Sequence, residues 1–358
     1  MKRLTRPATY AISTLGNTVT TTVGSAEKLT FDSAMTLPAP AQRALAGRPV
    51  KVDGQVLAVD VQLMLRLAKA AGPAVETLPI EKGRKVMQRQ TVLSGGEEPV
   101  GKVQTVWTDG GKARLYTPTG VEAPGPLLVF YHGGGFIYGD LDSHDAAVRF
   151  LCEKSGVRVL SVEYRLAPEA LFPAAAEDAL AAFGWARQHA EALGALPDRI
   201  GVGGDSAGGN LAAVVALQTT TECAFQLLVY PVTQLEIETR SRELFRTGFY
   251  LTKDFMDLAM SSYVPADVDP VDPLLSPLAV EVPAGVAPAF VATAGFDPLR
   301  DEGEQYAAKL AEAGVPVESW RYADQIHGFF NTLKVPTARA ACADIADALH
   351  KLAIPNAS

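Results

Sequence analysis

The chain has 358 residues, 48 % of them hydrophobic and 20 % charged, so it carries enough apolar material for a large core without a metal or disulfide staple. A net charge of −8 repels phosphate, which argues against nucleic acid and against an anionic membrane surface as partners. Cys152, Cys223 and Cys342 are odd in number and widely spaced, a pattern of reduced thiols that points to the cytoplasm.

Lys2, Arg3 and Arg6 could open a signal peptide, but the Thr- and Ser-rich stretch after them has no apolar run long enough to continue one. No segment approaches the ~18 apolar residues of a membrane helix, so no stable membrane insertion is expected. Residues 1 to about 35 have no clear period and read as a poorly ordered or loosely docked arm. Leu57, Val61, Met64, Leu65 and Ala68 share one helical face, and Gly72-Pro73 ends that helix. A shorter helix follows near Ile80–Arg89.

From Val100 the pattern changes. Lys102–Thr108 and Ala113–Thr117 alternate around Asp109-Gly110-Gly111, which predicts a hairpin. Short apolar runs then recur at Leu127–Tyr131, Val157–Val162, Ile200–Gly203, Gln226–Tyr230, Ala289–Ala294 and Val317–Tyr322. Helical stretches near 144–155, 174–191, 207–218, 302–313 and 337–352 lie between and after them. Such alternation predicts a mostly parallel sheet covered on both faces. Between Tyr230 and Ala289 almost sixty residues contain no strand, and an excursion of that length is usually functional, often a lid.

The run Ile200–Gly203 leads into Gly204-Asp205-Ser206-Ala207-Gly208-Gly209 and then a helix. This is G-x-S-x-G in strand–turn–helix context, a nucleophile elbow with Ser206 at its tip. A dinucleotide loop is the rival reading, but Ser206 stands where its third glycine is needed. His132-Gly133-Gly134-Gly135-Phe136 directly follows a strand, about seventy residues before the elbow. Glycines let the backbone approach a substrate, so the N–H groups of Gly134, Gly135 and Ala207 are the candidate oxyanion donors. A serine hydroxyl needs a base, and only His327 and His350 follow it in the chain order of this motif. His350 lies in the last helix and reads as a surface residue, whereas His327 sits in a loop after a strand. His132 is expected to brace the glycine loop, and His144 and His189 read as helix residues without a task. Asp297 ends the apolar run from Ala289 and is the candidate acid, with Asp301 a local rival better suited to capping the next helix. No Walker loop, HExxH or CxxC appears, so neither cofactor nor metal is expected.

Together, His132-Gly-Gly-Gly-Phe136, Tyr164-Arg-Leu-Ala-Pro-Glu169, the Gly204–Gly209 elbow, Asp297-Pro-Leu-Arg-Asp301 and His327-Gly-Phe329 resemble the hormone-sensitive-lipase-like esterases, bacterial family IV. The resemblance spans about 56 to 352 and implies an α/β-hydrolase fold with an eight-stranded sheet. It implies N-terminal cap helices over 41–95 and a catalytic domain over 96–358 whose insert, about 231–288, completes the cap; the arm over 1–40 is longer than the resemblance leads one to expect and has no assigned role. The activity it implies is a serine carboxylesterase acting on small short-to-medium acyl esters by way of an acyl-enzyme. An amidase or peptidase with the same triad, or a non-catalytic ligand-binding homologue, is the alternative. A homodimer is left open. Within Tyr164–Glu169 a structural role is preferred, and Glu169 is not assigned to catalysis. Phe136, Tyr138, Phe249 and Tyr250, with Phe245, Leu251 and Phe255, form the expected substrate pocket.

Overall fold

Strand and helix alternate from Lys102 onward because apolar runs there must be covered on both sides. In a computed structural model that describes residues 24–354 and the backbone of Ser13–Thr14, they form one sheet. The signal-peptide question and most of the first 23 residues lie outside the described residues.

In chain order the elements are β1 (Ser13–Thr14), α1 (Ser25–Met35), α2 (Ala39–Ala46), the small hairpin β2 (Lys51–Val52) and β3 (Gln55–Val56), α3 (Val59–Ala71) and α4 (Ile80–Gly95). The hairpin β4 (Lys102–Thr108) and β5 (Gly111–Thr117) follows, then β6 (Gly125–Tyr131), α5 (Asp145–Ser155), β7 (Arg158–Val162) and α6 (Ala174–Gln188). Next come β8 (Ala195–Asp205), α7 (Ala207–Thr219), β9 (Gln226–Val229), α8 (Arg240–Leu244) and α9 (Lys253–Tyr263). The chain closes with β10 (Ala289–Phe296), α10 (Arg300–Glu312), β11 (Val317–Ile326) and α11 (Pro336–Ala353).

The sheet order is β1-β4-β5-β7-β6-β8-β9-β10-β11. All eight strands read from the sequence are present, and the two-residue β1 adds a ninth at the edge. Pairs from β7 onward are parallel, and the β4–β5 hairpin and its partners are antiparallel. Side chains of β6 show why these strands read as continuous apolar runs. Leu127, Val129 and Tyr131 pack with α6, α7 and α10 on one face, and Leu128 and Phe130 pack with α5 and α11 on the other.

Strand order reverses at β6, with β7 on one side and β8 on the other. Connections leaving the C-terminal ends of β6 and β8 therefore run to opposite faces and leave a crevice between them. The register pairs Tyr131 with Gly204, so the glycine loop and the elbow emerge side by side.

The arm differs from the sequence expectation. Residues 25–35 are helical, and Phe31, Ala34 and Met35 are buried against a cluster that includes Met64. Lys334 Nζ lies 2.6 Å from Asp32 Oδ1, and Arg89 bonds Glu27. Two short helices separated by polar residues give too weak a period to be read without the surface they cover. The insert contains α8, α9 and a short 3-10 turn at Pro277–Ala279 and, as expected, no strand. It is tied to α10 by the buried carboxylate of Glu302, which accepts the Thr233 N–H at 2.9 Å and pairs with Arg242 at 2.6 Å.

Candidate active site

Ser206 stands between β8 and α7 with φ 55° and ψ −117°. A side chain at positive φ costs on the order of 1–3 kcal/mol and persists only where its surroundings enforce it. Here the Ser206 N–H bonds the Val229 carbonyl at 2.9 Å, and its own carbonyl accepts from Asn210 N–H at 3.0 Å and Val232 N–H at 3.2 Å. The glycines of the motif are explained by crowding. A Cβ on Gly208 would lie 1.9 Å from the Tyr131 carbonyl oxygen, and one on Gly204 2.4 Å from the Gly208 backbone.

His327 follows β11 and Asp297 follows β10. The imidazole Nε2 is 2.9 Å from Ser206 Oγ, and Nδ1 is 2.8 Å from Asp297 Oδ2. Asp297 is fully buried, and its other oxygen accepts the Leu299 N–H at 2.8 Å, which fixes the carboxylate. The Tyr230 ring lies against the imidazole, with centroids 4.5 Å apart. Serine, imidazole and carboxylate thus form one hydrogen-bonded line, the arrangement that lets a base take a hydroxyl proton.

The glycine loop turns tightly. Gly134 has φ 122° and Gly135 φ 63°, and the Gly134 carbonyl accepts Ile137 N–H at 3.2 Å and Tyr138 N–H at 2.9 Å. Among the described residues, no acceptor takes the N–H of Gly134 or Gly135, and Ala207 as first residue of α7 has no intrahelical acceptor. These three N–H groups are free to meet an anion.

Asp205 holds the glycine loop to the elbow, a role the sequence did not reveal. Its Oδ1 accepts the Gly133 N–H at 2.8 Å and lies 3.3 Å from His144 Nε2. Its Oδ2 accepts from Tyr230 Oη at 3.4 Å and Asn331 Nδ2 at 3.3 Å. Burial alone would raise the pKa of this carboxyl, but His144 and the Gly133 N–H together hold it below the usual aspartate value. His132 is fully buried, stacks on Tyr164 and bonds the Gly133 carbonyl at 2.9 Å. Burial, reinforced by His144, pushes its pKa down to about 4, so it is neutral near pH 7.

Ser206 lies at the junction of two cavities. One, about 1140 Å³, lies under the insert and is lined by Phe136, Tyr263 and Arg242 among others. The second, about 610 Å³, is strongly apolar and runs between α1, α3 and α4, lined by Phe31, Met64, Met87 and Leu93, with His327 and Tyr250 near the serine. Gly135, Leu251 and Phe255 border both.

A family model described as the alpha/beta hydrolase fold matches residues 128–331. Carboxylic ester hydrolase LipN of Mycobacterium tuberculosis is 44 % identical over 324 residues, 85 % of each chain. Ethyl acetate hydrolase of Pseudomonas putida is 35 % identical, over 72 % of this chain and 87 % of its own. Among solved structures, LAE6, an alpha/beta hydrolase enzyme from the metagenome of Lake Arreo, superimposes with a TM-score of 0.79 at 41 % identity, over 82 % of this chain and 98 % of its own.

The chain belongs to the α/β-hydrolase family. It sits in the hormone-sensitive-lipase-like branch that its motifs resemble.

Within this α/β hydrolase, several sequence expectations need correction. Tyr138 borders neither cavity. It is buried beside α4, with its hydroxyl on the Val75 carbonyl at 3.2 Å. Phe249 packs on Phe245 and Phe296 instead of lining a cavity, because neighbouring apolar rings outcompete an open site for it. Asp301 does not cap α10. It accepts from Arg300 Nε at 2.8 Å and from the Ser241 N–H, also at 2.8 Å, and so anchors α8. His350 is half-buried, with Nδ1 2.8 Å from the Ser155 carbonyl. His144 is the N-cap residue of α5, its Nδ1 2.9 Å from Ser143 Oγ. The Asp-Ser-His-Asp run before that helix was the available signal, since such residues gather at helix starts. Among the described residues no group of three or more His, Cys, Asp or Glu is placed to hold a metal. All three cysteines are free and buried, and burial raises each thiol, Cys223 to about 12, so none offers a thiolate. No helix among the described residues is long and apolar enough to cross a membrane.

Proposed function

We propose that this α/β hydrolase cleaves short-to-medium acyl esters with Ser206 as nucleophile, His327 as base and Asp297 as the group that orients the base. Relatives named as carboxylic ester hydrolases and esterases make ester hydrolysis its activity. The observation that carries the residue assignment is the unbroken line Ser206–His327–Asp297 opening on both cavities.

Ser206 Oγ attacks the ester carbonyl while His327 Nε2 takes its proton. The tetrahedral oxyanion is received by the N–H groups of Gly134, Gly135 and Ala207. His327 then protonates the departing alcohol, leaving an acyl-Ser206. Water, activated by the same imidazole, attacks this ester and releases the acid. The apolar cavity suits the acyl chain, and the more polar one the alcohol. Residues 41–95 and 231–288 act as the cap. In support, Thr252 of the insert donates to Glu76 at 2.7 Å, joining the two segments above Ser206. Unpaired cysteines suit a cytoplasmic protein. The outer side of β11, with Trp320 39 % exposed, leaves room for a homodimer.

A series of p-nitrophenyl esters of increasing acyl length, with an anilide beside it, tests this reading. Each methylene that fits contributes about 0.8 kcal/mol, and one that must displace packed side chains costs about 1–3 kcal/mol. The expected maximum in kcat/KM is at about four to eight carbons, with the anilide turned over far more slowly. Activity climbing steadily to long-chain triglycerides, or an anilide rate equal to the ester rate, would overturn it.

A further inference from the structure

Cap helix α4 reaches into the catalytic loops through one guanidinium. Arg84 Nε donates to the Ile137 carbonyl at 2.8 Å, and Arg84 Nη2 to the Ala167 carbonyl at 2.7 Å. The same group grips Glu169 with two bonds, Nη1 to Oε1 at 2.8 Å and Nη2 to Oε2 at 2.6 Å. Ile137 is two residues past Gly135. The loop around them is held at three carbonyls: Gly134 by Ile137 and Tyr138 N–H, Phe136 by Ala167 N–H at 2.9 Å, and Ile137 by Arg84. Gln88, one turn further along α4, donates to Asp140 at 2.8 Å and holds the outgoing side of the same loop.

From this geometry we infer that Arg84 is a positioning residue for the oxyanion hole. It aims the N–H groups of Gly134 and Gly135 from the cap side, and Glu169 aims Arg84. The inference rests on the esterase reading above. Two features separate it from an ordinary ion pair. The Glu169 side chain is 64 % exposed, and a pair that open to water adds little to stability. Two of the four bonds go to loop carbonyls, which an ion pair does not require. Only a planar fork reaches two carbonyls and a carboxylate together, so lysine is a poor substitute.

Both acylation and deacylation pass through an oxyanion, so a displaced hole slows both and lowers kcat without weakening substrate binding. Removing one oxyanion donor outright costs about 10²–10³ in kcat, and loosening the loop should cost less. The expected result for Arg84→Ala is a fall in kcat of roughly 10-fold to 100-fold with KM within about twofold. Arg84→Lys should recover only part of it. Glu169→Gln, which keeps one acceptor, should lose less than Arg84→Ala. Affinity for a trifluoromethyl ketone, whose hemiketal oxyanion occupies the hole, should fall in step with kcat/KM, while affinity for the product alcohol, which carries no anion, stays unchanged. Lys85→Ala, beside it on α4 but paired with Glu81 at 3.2 Å, serves as the unaffected control.

Should Arg84→Ala fail to fold, the lysine and Glu169→Gln variants carry the same test. Wild-type kcat and ketone affinity in these variants, or a rise in KM alone, would overturn the inference. Absence of ester turnover in the wild-type protein would instead overturn the esterase reading, and this inference with it.

Discussion

Two buried imidazole–carboxylate pairs lie at the site, and they differ in where the hydroxyl met by the second ring nitrogen sits. In the pair His327–Asp297 one nitrogen holds the carboxylate and the other faces the Ser206 hydroxyl at 2.9 Å. In the pair His144–Asp205 one nitrogen lies 3.3 Å from the carboxylate and the other is taken by Ser143 Oγ at 2.9 Å. The Ser206 hydroxyl opens on both cavities, whereas Ser143 Oγ is closed within its own turn, accepting the Asp140 N–H and donating to the Asp140 carbonyl, each at 2.9 Å. Asp205 also accepts the Gly133 N–H at 2.8 Å, so this pair shapes the glycine loop. Composition is the same in both pairs; what separates them is whether the hydroxyl that meets the imidazole opens on a cavity.

The sharpest way to break this comparison is to remove the reacting side. Ser206→Ala and His327→Ala should each lower kcat by on the order of 10⁴-fold or more, and the double variant by no more than either alone, because the residues act as a unit. Additive losses in steady-state assays would mean they do not. Next in size is the contrast between the carboxylates. Asp297→Asn should cost about 10²–10⁴ in kcat by turning the imidazole to the wrong tautomer. Asp205→Asn should cost only about 10-fold, through a loosened loop. The reverse ranking would exchange the roles of the two pairs. Asp301→Asn should stay within about twofold, since that carboxylate faces α8.

Stability against pH probes the second pair through its neighbour. In the fold His132 titrates near pH 4, against about 6.5 unfolded, so the unfolded chain binds the extra proton between these values. Its contribution is complete above pH 6.5 and is lost progressively as the pH falls towards 4. Urea unfolding at pH 7, 6, 5 and 4.5 should show that decline, and His132→Gln should flatten it; an identical slope in the variant would discount His132. The smallest effect belongs to Tyr230→Phe. Tyr230 touches both pairs, its ring on His327 and its hydroxyl 3.4 Å from Asp205. Losing so long a bond should change kcat less than about threefold and stability by about 0.5–1 kcal/mol. A larger kinetic effect would show that the two pairs are coupled through this ring.

Much of this was legible in the sequence for a physical reason. Apolar runs such as Leu127–Tyr131 must be strands covered on both faces, and all eight predicted strands appear in the sheet. Ser206, Asp297 and His327 stand at strand ends, where chain order and local pattern suffice to find them. Other features are long-range. Asp205 and His144 lie 61 positions apart in the chain, and only the strand reversal at β6 brings them together. Helix α1 covers a surface made by α3 and α4, so its weak period gave no sign of docking. Phe249 and Tyr250 are adjacent, yet one joins a ring cluster and the other borders a cavity, a split that composition cannot reveal.

Crowding at the elbow also sets how this scaffold can be re-engineered. A methyl group at Gly208 would meet the Tyr131 carbonyl oxygen at 1.9 Å, and one at Gly204 the Gly208 backbone at 2.4 Å, so no rotamer choice relieves either clash. Saturation libraries at these two codons should return glycine alone. Leu251 and Tyr250 border open space beside the same serine, and diversity introduced there has somewhere to go. Selection for a new substrate would therefore rewrite the cavity walls and leave the turn beneath them unaltered.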